Sequence, residues 1–253
     1  MYCTYDEIHV LKNIKHLLAN NETIILSDVV ATYELPSDVV EMSHLRKLVE
    51  FQEKLSWKPA PFLKAGDLEK KHLNKMKVAP AKHVFNRTTA AALEFLSELS
   101  DGNPGMKTTA FFVRLVALWS SICAARHPSV APEKFKEGAL EETFEVLHLT
   151  KTVFLFWNES GESGIQRWKL AHTGLIHCTT TTENLIEEFV VEKNDLYLLT
   201  GRVTQDFVEN ENSQVRLKHP TPTPLLTKSI LKKRAFSNLQ FVGVLRTGGR
   251  RLI

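Results

Sequence analysis

The chain has 253 residues, 43% of them hydrophobic and 24% charged, with a formal net charge of +3. That content suffices for the core of one large or two small domains and argues against a disordered chain, while so small a charge permits nucleic-acid contact without requiring it. Cys3, Cys123 and Cys178 lie far apart with no CxxC pair, which argues against a zinc ribbon or a disulfide framework and suits a reducing compartment; no basic-then-apolar leader opens the sequence, and no run of about 18 apolar residues is read as a membrane span.

In chain order, a short strand is expected at Tyr2–Tyr5 and a helix from Asp6 to Asn20, on which Ile8, Leu11, Ile14, Leu17 and Leu18 recur at helical spacing. Pro36 and Ser37 are read as opening a second helix through Val40, Leu45, Leu48, Phe51 and Leu55, stopped by Pro59-Ala60-Pro61. A third helix is expected over Val84–Leu99, ended by Asp101-Gly-Asn-Pro-Gly105. A fourth, apolar all round and therefore buried, carries Phe111, Phe112, Leu115, Leu118, Trp119 and Ile122. Another is expected near Leu140–Leu149, followed by a β-favouring run at Val153–Trp157 that has no evident sheet to join. The spacing of Thr180 and Glu183 fits a capping box opening a helix through Leu185, Ile186 and Phe189. From Leu196 an apolar run passes into a polar helix reaching Arg216, after which His219-Pro-Thr-Pro-Thr-Pro224 is expected to block regular structure. The tail is basic, with Lys228, Lys232, Lys233 and Arg234.

Asp206 and Glu209 stand three residues apart, where two carboxylates share a helical face and repel by a few tenths of a kcal/mol, about 0.2–0.5. A divalent cation reverses that penalty, and two-metal phosphoryl-transfer sites use carboxylates so; acid pairs at this spacing are also common on solvated helices. His9, three residues from Asp6, reads as a hydrogen-bonding partner beside the helix start more readily than as a ligand. His172, His177 and Cys178 form no zinc spacing.

The stretch LLTGRVTQDFVENENSQVR followed by PTPTP resembles the LTxRLNQDxxENFFxxIR and NPTP signature of P element-type transposases. YDEIHVLKNIKHLLANN is similar to that family's FDPPHLLKxIRNNLL, and KMKVAPAKHVFNRTTAAALEFL to its KMKVxLAAQVLSxSVAxAL, all three in family order. The resemblance implies a mainly α fold: a helical GTP-binding insertion domain, residues 31–195, within a truncated ribonuclease H-like α/β domain. Residues 1–30 and 196–235 are the flanking pieces of that domain, and 236–253 a tail with no match.

By the same resemblance Asp6 is the second catalytic aspartate and Glu209 the closing glutamate, with Asp206 beside it as a metal ligand. The first aspartate would precede Asp6, so the chain is expected to be inactive alone. Lys77 and Val78 match the nucleotide-site Lys-Val. Asn86 stands where the family has serine, and Val116-Ala-Leu-Trp-Ser120 where it has Asn-Asp-Leu-Phe/Trp-Asp. Arg202 and Arg216 are the candidate DNA contacts. Mg²⁺ and GTP are the implied cofactors, transposon-end DNA the implied partner, with self-association or a full-length transposase as further partners and no membrane. The nucleus is the implied location. The other reading is a non-catalytic module binding GTP, DNA or a transposase.

Overall fold

The computed structural model describes residues 6–26, 31–70, 77–99, 103–131, 138–157, 170–204, 212–217 and 219–233. The expected strand at Tyr2–Tyr5 therefore lies outside the described residues. Helix α1 (Glu7–Asn21) starts at Asp6, an extended residue whose carboxylate accepts from the Ile8 N–H, and ends at Glu22, whose left-handed backbone (φ 65°) lets its N–H donate to Leu18 O. One face, Val10, Leu11, Ile14 and Leu18, is buried as the spacing predicts.

Past that turn the chain departs from the expected second helix. Thr23–Ile25 (β1) pairs antiparallel with Val39–Glu41 (β2), in register Thr23 to Glu41, Ile24 to Val40 and Ile25 to Val39. The β-branched Val39 and Val40 take a ladder, and the Ser37 hydroxyl accepts from the Val39 N–H rather than capping a helix. Helix α2 begins only at Met42 and runs to Glu53. Its buried Gln52 donates to Leu63 O and accepts from the Ala60 N–H, fixing the Pro59–Leu63 loop against the core. The boundary drawn at residues 30 and 31 falls between the two paired strands.

The expected helix at Val84–Leu99 is two helices, α3 (Ala79–Val84) and α4 (Arg87–Glu98). Phe85 and Asn86 break it, Asn86 in extended conformation accepting from the Thr89 N–H as the cap of α4. Helix α5 (Met106–Cys123) returns antiparallel to α4, held by Arg114 to Glu94 at 2.6 Å and Lys107 to Glu98 at 3.5 Å. In length and apolar composition α5 could cross a bilayer, contrary to the reading that no such run exists. Phe112, Val113, Val116 and Trp119 on it are nevertheless buried inside this fold.

Helix α6 (Ala139–Trp157) absorbs the β-favouring run: Val153 and Phe154 are buried in its last turns, where packing outweighs β propensity. Helix α7 (Leu170–Ile186) continues as a π-helical turn, Glu187–Glu192. Thr180 and Glu183 sit inside α7 and start nothing; Glu183 pairs with Lys151 of α6 instead. The core runs from α1 to α7 around α5, through rings spaced 6.2 Å (Phe85 to Phe112) and 6.1 Å (Phe112 to Phe154). Trp119 Nε1 donates to Thr179 Oγ1 at 2.8 Å. The architecture is thus mainly α.

Residues from Gln205 onward form a second unit, helical at 212–217 and 224–233. The helix at 224–233 follows directly on the proline segment expected to block it. Pro224 stands at its start, where a missing N–H costs nothing, and Thr223 Oγ1 accepts from the Leu226 N–H.

Candidate functional site at the end of helix α5

Three segments far apart in sequence meet where α5 ends. The first is the start of α1. Asp6 is buried, accepting from the Ile8 N–H at 3.2 Å and pairing with His9 Nδ1 at 2.6 Å. Its neighbour Glu7 is 1% exposed, and Glu7 Oε1 accepts a hydrogen bond from Ser120 Oγ of α5. Burying a carboxylate is costly without such a donor. One turn further on, the Cys123 thiol is pushed well above its ordinary pKa, first by burial, then by the adjoining Cys178 of α7.

The third segment is the Thr200–Arg202 turn, part of the LTGR stretch. The Thr200 hydroxyl donates to Ile122 O and accepts from the Ala125 N–H at 3.0 Å, and the Gly201 N–H donates to Ala125 O at 2.9 Å. A Cβ at Gly201 would stand 2.8 Å from both Ala124 O and Arg126 Cγ, so no larger residue can approach α5 this closely. Arg202 itself is exposed. The cavity enclosed by Cys123, Cys178, Thr182, Leu185, Thr200, Val203 and Thr204 holds only about 10 Å³, room for nothing beyond a water molecule.

Of the sequence-predicted nucleotide residues, Asn86 and Ser120 are hydrogen-bonded within the fold. Asn86 Oδ1 accepts from the Thr89 N–H (2.8 Å) and Thr88 Oγ1 (2.5 Å), while Nδ2 donates to His83 O (2.7 Å) and Lys82 O (3.1 Å). Val116 is fully buried and Ser120 is turned to Glu7. Lys77 is exposed and Val78 half-buried at the start of α3. These groups, as arranged, do not fit a guanine base. The antiparallel ion pairs between α4 and α5 set Asn86 and Ser120 at the same end of that hairpin.

For a metal, Asp206 and Glu209 lie outside the described residues, and among the described residues no group of three or more His, Cys, Asp or Glu could hold an ion. Asp6, with its carboxylate spent on Ile8 and His9, does not fit an open ligand. Arg216 is exposed in the second unit. His172 and Cys178 point into the fold, towards Phe154 and Cys123, while His177 is exposed, so they do not converge.

A larger cleft, about 500 Å³, lies at the other end of α1, some 22 Å along its axis. There Glu22 receives Arg46 at 2.7 and 3.1 Å and Lys70 at 2.7 Å, and these cations, Arg46 first, hold its carboxyl at about 2. The larger volume is therefore remote from the predicted chemistry. Sequence reasoning missed Glu7 and Thr200, because an acid in the first turn of a helix and a threonine before a glycine both read as solvent-facing.

Residues 8–137 match the family described as TNP-like, GTP-binding insertion domain, which is just over half of the 253 residues. The chain belongs to this P element-type transposase family. Among solved structures it is similar to the Drosophila P element transposase strand transfer complex, with a TM-score of 0.71 at 18% sequence identity over 90% of this chain. The match covers 50% of that chain, so this protein spans about half the length of the transposase chain whose fold it shares. No curated protein matches the sequence. The matched span begins at Ile8 and ends at Glu137, so Glu7 and Thr200, which close the end of α5, both come from outside it.

Proposed function

We propose that this chain is a transposase-derived protein that keeps the helical insertion fold but neither cuts nor joins DNA by itself. Its lineage function is metal-dependent DNA cleavage and strand transfer with GTP as cofactor, acting in the nucleus on transposon ends. The observation that carries the loss is Ser120. At the position where the family has an aspartate, this chain has a hydroxyl that turns inward to Glu7. A base with two donors would meet a single hydroxyl oxygen in place of a carboxylate's paired oxygens, and an unmatched buried donor costs about 1–3 kcal/mol. The fourfold use of the Asn86 amide and the burial of Val116 support the same reading.

The test is calorimetric titration of the purified chain with GTP and Mg²⁺, with ATP as control. A folded chain that binds neither nucleotide is the expected result. Guanine-selective binding would overturn it in favour of a second reading, a non-catalytic module that binds GTP and contacts DNA or a full-length transposase. That second reading draws on Arg202, which the Thr200 and Gly201 contacts hold exposed on a fixed turn.

A further inference from the structure

The loop after α2 carries a surface that none of the above uses. From Lys54 to Gly66 the sequence holds Lys54, Lys58 and Lys64 and no Asp or Glu. Trp57 and Phe62 on this loop are 55% and 60% exposed, and Phe95 of α4 is 43% exposed. These rings are paired: Trp57 meets Phe95 edge to face at 6.2 Å, and Phe62 stacks on His83 at 6.2 Å with an interplanar angle of 23°. Asp67 Oδ2 fixes His83 through Nδ1 at 2.9 Å, so its charge is directed at that imidazole.

Exposed apolar side chains that cluster and are rimmed by polar groups, unlike singly scattered ones, mark contact surfaces. Here the loop bearing them is rigid: two prolines flank Ala60, and Gln52 holds Ala60 and Leu63 from beneath. Four residues separate Trp57 from Phe62, so their Cα atoms lie within roughly 18 Å of each other. Around them Lys54, Lys58, Lys64, Lys82 and Arg87 are exposed and form no ion pair with any described residue. The nearby acids of α4 are engaged, Glu94 with Arg114 and Glu98 with Lys107.

We infer that this surface, Trp57 and Phe95 at one end and Phe62 and His83 at the other, binds single-stranded nucleic acid, the bases stacking on the rings and the lysines facing the phosphates. The charge selects an anionic partner and disfavours a second copy, which would bring the same cations. The rings select an anion with flat apolar faces to offer, and a single strand offers them where a duplex keeps its bases stacked inside. Recognition is by backbone charge and stacking, so it is indifferent to sequence and serves DNA and RNA alike.

The test titrates the full chain, with no nucleoside triphosphate present, with a 12-nucleotide oligo-dT, the matching RNA and a 12-base-pair duplex, each carrying a fluorophore, following the anisotropy of the oligonucleotide and the change in intrinsic tryptophan emission that Trp57→Phe removes. Binding of the single strands over the duplex, with quenching, is expected. Trp57→Ala with Phe62→Ala weakens it by about tenfold or more, Trp57→Phe retains it, and Lys58→Ala or Lys64→Ala each flattens the salt slope by about 0.7. Far-UV circular dichroism confirms that these surface variants fold. Equal affinity for the duplex, or unchanged affinity in the double aromatic variant, would overturn the inference. So would a wild-type dimer, or capture of an acidic aromatic peptide with no oligonucleotide binding, if either is lost in that variant.

Discussion

The two ends of α5 are both secured by polar contacts, but by partners of different origin. At its start, Thr108 Oγ1 donates to Ser37 O at 2.7 Å, and Thr109 Oγ1 accepts from the Glu41 N–H at 3.1 Å and from His44 Nδ1 at 2.8 Å. His44 Nε2 in turn accepts from Asn103 at 3.2 Å. All these residues belong to the matched insertion domain. At its end the partners are Glu7 and Thr200, which lie before and after that span. The start of α5 is therefore held from within the matched span, and its end by residues from either side of that span, all within one compact unit, Met1–Thr204.

That contrast can be broken deliberately. The largest effect is expected from Gly201→Ala, whose new methyl meets backbone at 2.8 Å: about 3 kcal/mol of stability is lost by denaturant titration. Proteolysis should then cut after residue 186 before it cuts α4 or α5; simultaneous cleavage throughout would mean that the turn is integral to the core. Next, Thr109→Val leaves the Glu41 N–H and His44 Nδ1 without their acceptor and should cost about 2 kcal/mol, with α4 and α5 losing hydrogen-exchange protection together.

A smaller effect follows from pH. Burial lowers the His44 pKa below its ordinary value, so the unfolded chain binds its proton first on acidification. The stabilisation is complete above about pH 6.5 and is lost as pH falls from there towards the folded pKa. The melting temperature should drop more between pH 7.5 and 5 in the wild type than in His44→Asn, and equal drops would exclude His44 as the source. The smallest effect is at Glu22. Its carboxyl is held at about 2, so its contribution is present above about 4.5 and is lost as pH falls through 2. The side chain is 39% exposed and screened by solvent, so Glu22→Gln should cost under about 1 kcal/mol and nothing measurable in high salt.

The same division governs what the sequence made legible. The periodicity of α1 and α5 was plain, because each buries one face or all faces of a long helix. The β1–β2 pair was not, because three-residue strands joined across an intervening stretch have no period to read, and Pro36 imitated a helix start. At Val153 and Phe154 local β propensity lost to burial, and inside α7 the buried hydroxyls of Thr179 and Thr182 bond back to Leu175 O and Cys178 O, which leaves them satisfied within a helix that the sequence placed only from Thr180 onward. Asp6, Ser120 and Arg202 were found through motif order, and the structure places all three on segments that meet at the end of α5. What motif order could not show is that Ser120 already has a partner, since its contact with Glu7 is made across more than a hundred residues.

The seam between α5 and α7 hides two thiols, Cys123 and Cys178. Burial keeps the Cys123 sulfur protonated at neutral pH, and an alkylating reagent needs both the thiolate and a path to it. Neither exists while the Thr200–Arg202 turn is seated. In a Cys3→Ser chain, then, each added reagent mass on Cys123 is the record of one excursion in which that turn lifted, and its rate is a clock for how often the LTGR segment lets go.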